Sequence, residues 1–106
     1  MSDPERVVCA DALTADLGET DTDALASVAL DLGSHGGVTF GLWEAGPGTD
    51  TDVETDEHFL VLSGAGTVSF EDGSTVELKP GVLVRLREGE HTRWEITERL
   101  RKLYLS

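Results

Sequence analysis

Residues 57–73 read EHFLVLSGAGTVSFEDG, and their pattern decides the fold. Residues 58–62 are almost wholly apolar, as a strand buried on both faces is. Ser63, Gly64, Ala65 and Gly66 predict a turn into a second short strand at 67–70, and Glu71-Asp72-Gly73 predicts the turn after that. Working outward, the alternation continues on both sides. Upstream, Val38, Phe40 and Leu42 alternate with Thr39, Gly41 and Trp43 until Gly46-Pro47-Gly48 interrupts them. Downstream, strands are expected at 74–78, 82–87, 91–96 and 99–105, with turns at Lys79-Pro80-Gly81 and Glu88-Gly89-Glu90. Seven or so short strands with no amphipathic helix between them predict an all-β sandwich or barrel.

The N-terminal part carries weaker signals. Residues 24–31 (ALASVALD) fit a helical turn and a strand equally, and residues 33–37 (GSHGG) read as a turn cluster. Residues 1–24 mix acids, Ala and Thr without a period, apart from a candidate edge strand at 6–10 (RVVCA). They are expected to form an arm, with the barrel domain at 25–106. A chain of 106 residues suffices for one core and is too short for two.

Charge narrows the classes of partner. A net charge of −13, with 21 acidic against 8 basic residues, repels a phosphate backbone, and no Lys/Arg cluster exists to release counterions from one. Nucleic acid and anionic membranes are therefore not expected partners. The acidity fits a solvated surface or recognition of something cationic. No run approaches the ~18 apolar residues of a spanning helix. The single Cys9 forms no internal disulfide, and the first twenty residues lack a basic start and an apolar core, so a cytoplasmic location is expected. Serine-nucleophile and P-loop signatures are absent from the sequence.

Two spacings become specific. Glu57 is followed after six residues by Gly64, and Gly81 is followed by Gly89 at the separation that the second motif of cupins uses. With Gly41-Leu42-Trp43-Glu44, Pro47-Gly48, Asp56-Glu57, Leu62-Ser63-Gly64, Pro80-Gly81, Trp94 and Arg101-Lys102-Leu103-Tyr104, residues 37–105 resemble the small cupins related to ureidoglycine aminohydrolase. That resemblance implies a single jelly-roll barrel, usually dimeric, with a ligand pocket inside. It does not by itself imply a reaction.

The metal-ligand slots of those motifs hold no histidine. In the first motif they fall on Asp50 and Asp52, or on Thr51 and Val53; in the second, the His slot holds Thr92 and the Asn slot Ile96. Asp50, Asp52 and Glu57 would offer a hard oxygen site, yet the first two lie in a polar run (TDTDVETDE) that reads as a solvated loop. No metal or other cofactor is expected. By strand parity His58 and His91 point away from the lumen unless a bulge turns His91 inward, and His35 lies in a Gly-rich loop.

The same parity turns Glu57, Phe59, Thr92, Trp94, Lys102 and Tyr104 inward, with Trp43 joining them. Aromatic walls with a few polar groups suit a small organic ligand. A plain filled core is the competing expectation. Glu57, Lys102 and Tyr104 are the candidate catalytic groups, and Trp43, Phe59, Thr92 and Trp94 the candidate ligand contacts. Burial and a nearby ammonium push a carboxylate in opposite directions, which suits Glu57 to acid–base work or to an inert ion pair. Three functions follow: a metal-independent small-molecule-binding cupin, a metal-dependent enzyme acting on a C–N bond, or a non-enzymatic dimeric accessory domain. A homodimer is expected in each case.

Overall fold

A computed structural model describes residues 6–106. The strands in order are β1 (Val28–His35), β2 (Val38–Ala45), β3 (Gly48–Val53), β4 (Glu57–Phe70), β5 (Thr75–Leu78), β6 (Leu83–Leu86) and β7 (His91–Leu105). All pairings are antiparallel.

Two long strands organise the rest. β4 and β7 run beside each other from His58↔Leu105 to Phe70↔Thr92. Their register slips between Val61 and Ser63, between Ser63 and Ala65, and between Ala65 and Gly66. One half of the pair, with β2 and β1 on the β7 side and β6 on the β4 side, makes a front sheet β1-β2-β7-β4-β6. The other half, with β3 beside β7 and β5 beside β4, makes a back sheet β3-β7-β4-β5. The bend where the two long strands pass from one sheet to the other is the corner of a jelly roll.

The expected hairpin at residues 63–66 is thus a bulged corner inside one continuous strand. Gly64, at φ +94, stands where a Cβ would run into the Arg99 carbonyl of β7, and a Cβ at Gly66 would press on the Glu95 carbonyl. The glycines serve this close approach, not a reversal. The slip also switches parity. Phe59 and Val61 point inward before it and Val68 after it, while β7 keeps Trp94, Ile96, Leu100 and Lys102 inward throughout. The expected strands at 91–96 and 99–105 are likewise one strand.

Other corrections are local. Residues 49–53 of the polar run expected as a solvated loop form most of β3, because β7 supplies hydrogen-bonding partners that override the weak β-propensity of Asp. Of the cluster 33–37, Gly33, Ser34 and His35 extend β1 past a bulge, and only Gly36 and Gly37 turn the chain. Residues 24–31, left open between helix and strand, enter β1 at Val28. No strand forms at residues 6–10, which adopt turns and bends, and residues 1–5 of the expected arm lie outside the described residues.

Phe59, Val61, Val68, Leu78, Leu86 and Leu100 are fully buried and fill the lower part of the barrel. The arm is tied to the outside of the front sheet by Arg101. Its guanidinium donates to the Ala12 and Ala15 carbonyls at 2.9 and 2.7 Å and to Glu44 Oε2 at 2.8 Å. Arg99 shares Glu44 and donates to the Gly46 and Ala26 carbonyls. Burial pushes the Glu44 carboxyl up, but hydrogen bonds and positive charge from Arg99 and Arg101 outweigh it and hold the group below its ordinary value.

Candidate functional site

The upper part of the barrel is open as a cleft of about 450 Å³. β2 contributes Trp43, β3 Asp50 and Asp52, the β3–β4 loop Glu54, β4 Glu57, and β7 Trp94, Lys102 and Tyr104. The segment before β1 closes one side with Asp23, Leu25 and Ser27. It is held there by the Gly46 amide, which donates to the Leu25 carbonyl, and by Arg99, which donates to the Ala26 carbonyl, while Asp23 accepts from the Ser27 amide and hydroxyl within the segment.

Lys102 stands at the floor of the cleft. Its Nζ lies 2.7 Å from Glu57 Oε2 and faces three rings, 4.4 Å from the centroid of Phe59, 4.7 Å from Trp43 and 5.1 Å from Trp94. The rings contact one another, Trp94 lying 5.9 Å from Trp43 and 5.6 Å from Phe59. An ammonium taken out of water needs a counter-charge or ring faces, and Lys102 has both. The register explains why. Trp43↔Lys102 and Val61↔Lys102 are cross-strand pairs, and Phe59↔Tyr104 and Glu57 stand on the same inward face.

Tyr104 packs on Gly41, where any side chain would strike its hydroxyl. Burial pushes the Tyr104 phenol up, and the negative charges of Asp31 and Glu57 push it further. Phe59 and Thr92 stand behind the cleft wall: Phe59 is fully buried beneath Lys102, and Thr92 is buried with its hydroxyl turned to Glu54.

Glu54 is the residue that sequence reasoning missed. Its Oε2 accepts from Thr92 Oγ1 at 2.6 Å and from Trp94 Nε1 at 3.1 Å, fixing the loop carboxylate to the indole. In the sequence it is one acid among several in a polar run. The only signal was indirect, namely that a buried Trp and Thr two residues apart on an inward face need an acceptor.

Asp50 and Asp52 lie opposite Trp94 and Thr92 and so face the cleft side of β3, but each bonds the next backbone amide. Among the described residues no three His, Cys, Asp or Glu side chains converge as a metal ion requires. The donor set therefore does not fit the transition metal of the cupin motifs. His35, His58 and His91 are exposed, and His91 lies 3.6 Å from Glu71 on the outer surface.

A bent two-sheet barrel with its cleft at one end, built around the Glu57 and Gly64 spacing, is a cupin domain. Residues 32–104 match the model of the EutQ-like cupin domain, and the chain belongs to that family. Solved structures agree on the fold. The EutQ protein of Clostridium difficile is 19% identical over 74% of this chain, with a TM-score of 0.66, and this chain spans only 65% of its length. A protein of unknown function from Rhizobium leguminosarum bv. viciae is 28% identical over 74% of this chain and 78% of its own, at TM-score 0.68. A DUF861 family protein from Thermotoga maritima is 31% identical over 59% of this chain and 73% of its own, at TM-score 0.55. No curated protein matches the chain significantly. Among the described residues no helix is long and apolar enough to cross a membrane.

Proposed function

We propose that this chain is a metal-independent cupin that binds a small organic molecule in the cleft above Lys102. The observation that carries this function is the caged ion pair. Glu57 and Lys102, at 2.7 Å, sit under two tryptophans that also line a 450 Å³ opening, which combines aromatic contact area with a few fixed polar groups. Tyr104 adds a hydroxyl at the same wall.

Metal-dependent chemistry of the ureidoglycine aminohydrolase type is set aside because the motif slots carry Asp50, Asp52 and Thr92, with Lys102 already engaging Glu57. Glu57 is the remaining candidate for acid–base work. A purely structural accessory role would need no ligand at all.

Native mass spectrometry of the purified protein tests the proposal. A small molecule should dissociate from the wild type on activation and be absent from Trp94→Ala, while elemental analysis after dialysis against Zn, Mn, Fe or Ni should find well under one metal per chain. Stoichiometric metal retention lost in Glu57→Ala would overturn metal independence. A wild-type mass equal to the bare chain, together with no binder in a fragment screen, would overturn the pocket.

A further inference from the structure

Resting on the pocket reading above, we infer that the ligand is a small organic cation whose ammonium donates to Glu54. Three observations lead there. The first is the state of Glu54. One of its oxygens is fixed by Thr92 and Trp94, and among the described residues nothing donates to the other. It pairs with no Lys or Arg among the described residues, whereas Glu57 is neutralised by Lys102 at 2.7 Å. Glu54 is therefore the positioned carboxylate with a vacant acceptor oxygen and no Lys or Arg partner among the described residues.

The second observation is the balance of charge around the cleft. Asp23, Asp50, Asp52, Glu54 and Glu57 line it against the single ammonium of Lys102. An anionic ligand would meet a net excess of four negative charges, five carboxylates less one ammonium.

The third is the packing of these walls around an ammonium. Trp43 and Trp94, which both line the cleft, already hold the Lys102 ammonium within 4.7 and 5.1 Å of their centroids. Ring quadrupoles that accept an internal cation attract an external one on the same physical grounds. Glu54 thus specifies a donor, and the aromatic walls specify a compact cation.

An isosteric charge series separates ligand class from pocket. 1,4-Diaminobutane, butane-1,4-diol and succinate are titrated into labelled protein while the Trp94 Nε1–H resonance is followed. The diamine should shift that resonance and bind about tenfold more tightly than the diol, with succinate silent. Glu54→Gln keeps an amide oxygen for Thr92 and Trp94, and should weaken the diamine about tenfold. Asp50→Asn should weaken it less, and Glu77→Gln, at an exposed position of β5, should leave it unchanged.

Equal losses in Glu54→Gln and Glu77→Gln would reduce the effect to non-specific attraction by an acidic protein and overturn the inference. Diol or succinate binding as well as the diamine would overturn the cation class while keeping the pocket. Silence of all three probes would overturn the inference too, whereas the pocket falls only by the native-mass experiment and fragment screen.

Discussion

Replacing Glu57 by Gln and Lys102 by Met, singly and together, measures how much the fold depends on its caged ion pair. Lys102 is 6% exposed and the Glu57 side chain 18%, so both charges have left most of their water. Removing one partner of a buried pair costs about 3–5 kcal/mol because the other charge stays behind uncompensated. Lys102→Met should fall at the lower end, about 3 kcal/mol, since Glu57 is open to the cleft and regains some hydration. Glu57→Gln should cost about 2 kcal/mol, because the amide oxygen still accepts from Nζ and three ring faces remain. The double variant leaves no stranded charge and adds apolar packing, so its loss should be about 1.5 kcal/mol, far below the sum of about 5 kcal/mol. In urea unfolding with m of about 1.5 kcal/mol/M, Lys102→Met lowers the midpoint by about 2 M. Tryptophan fluorescence reports the transition directly, as both Trp43 and Trp94 face the pair. Single effects that add to within ~0.5 kcal/mol would refute the pair as the polar centre.

The only tyrosine, Tyr104, should titrate above its ordinary value of 10.0 in an ultraviolet absorbance titration, and Glu57→Gln should bring it down. Because the folded state holds this proton longer than the unfolded chain, the associated stability is complete below pH 10 and lost as pH rises through the folded-state pKa; a midpoint at or below 10.0 would contradict the burial argument. Arg101→Ala removes the bonds to Ala12, Ala15 and Glu44 and should cost about 2–3 kcal/mol, with cleavage at residues 11–20 accelerated in limited proteolysis. Unchanged cleavage would mean that the arm is held elsewhere. A homodimer is expected from light scattering, because Leu103, Leu60 and Leu83 form a cross-strand row on the outer face of the front sheet, the first two half-buried and Leu83 66% exposed. A monomer mass at micromolar concentration would count against it.

Legibility in the sequence followed locality. β2, β5 and β6 announce themselves by period-2 alternation between Gly and Pro turns, and these local signals suffice. The corner at residues 63–66 does not, because a Ser-Gly-Ala-Gly cluster serves a hairpin and a bulge equally well. What decides is β7 lying alongside, a contact made between residues 30 or more positions apart. β3 was illegible for a related reason. Asp50 and Asp52 are poor strand residues, and only pairing with Trp94 and Thr92 makes them extended. On the site, parity sufficed to put Glu57, Trp94 and Lys102 on inward faces, since a strand's facing needs no tertiary knowledge. Glu54 follows β3 in a loop, where parity has no purchase.

Lys102 and the first cupin motif meet on the same carboxylate, Glu57. In the family pattern Glu57 is the carboxylate of the first motif, and here its Oε2 receives a hydrogen bond from Nζ. A divalent ion using Glu57 would have to displace an ammonium that three rings and a carboxylate hold, or tolerate a positive charge close by, and electrostatics opposes both. The second motif changes in the same sense. Thr92 in the histidine slot supplies no imidazole and donates its hydroxyl to Glu54, which also receives the Trp94 indole. An internal ammonium thus holds the centre of the barrel, and Glu54, which pairs with no Lys or Arg among the described residues, is the carboxylate left facing the cleft.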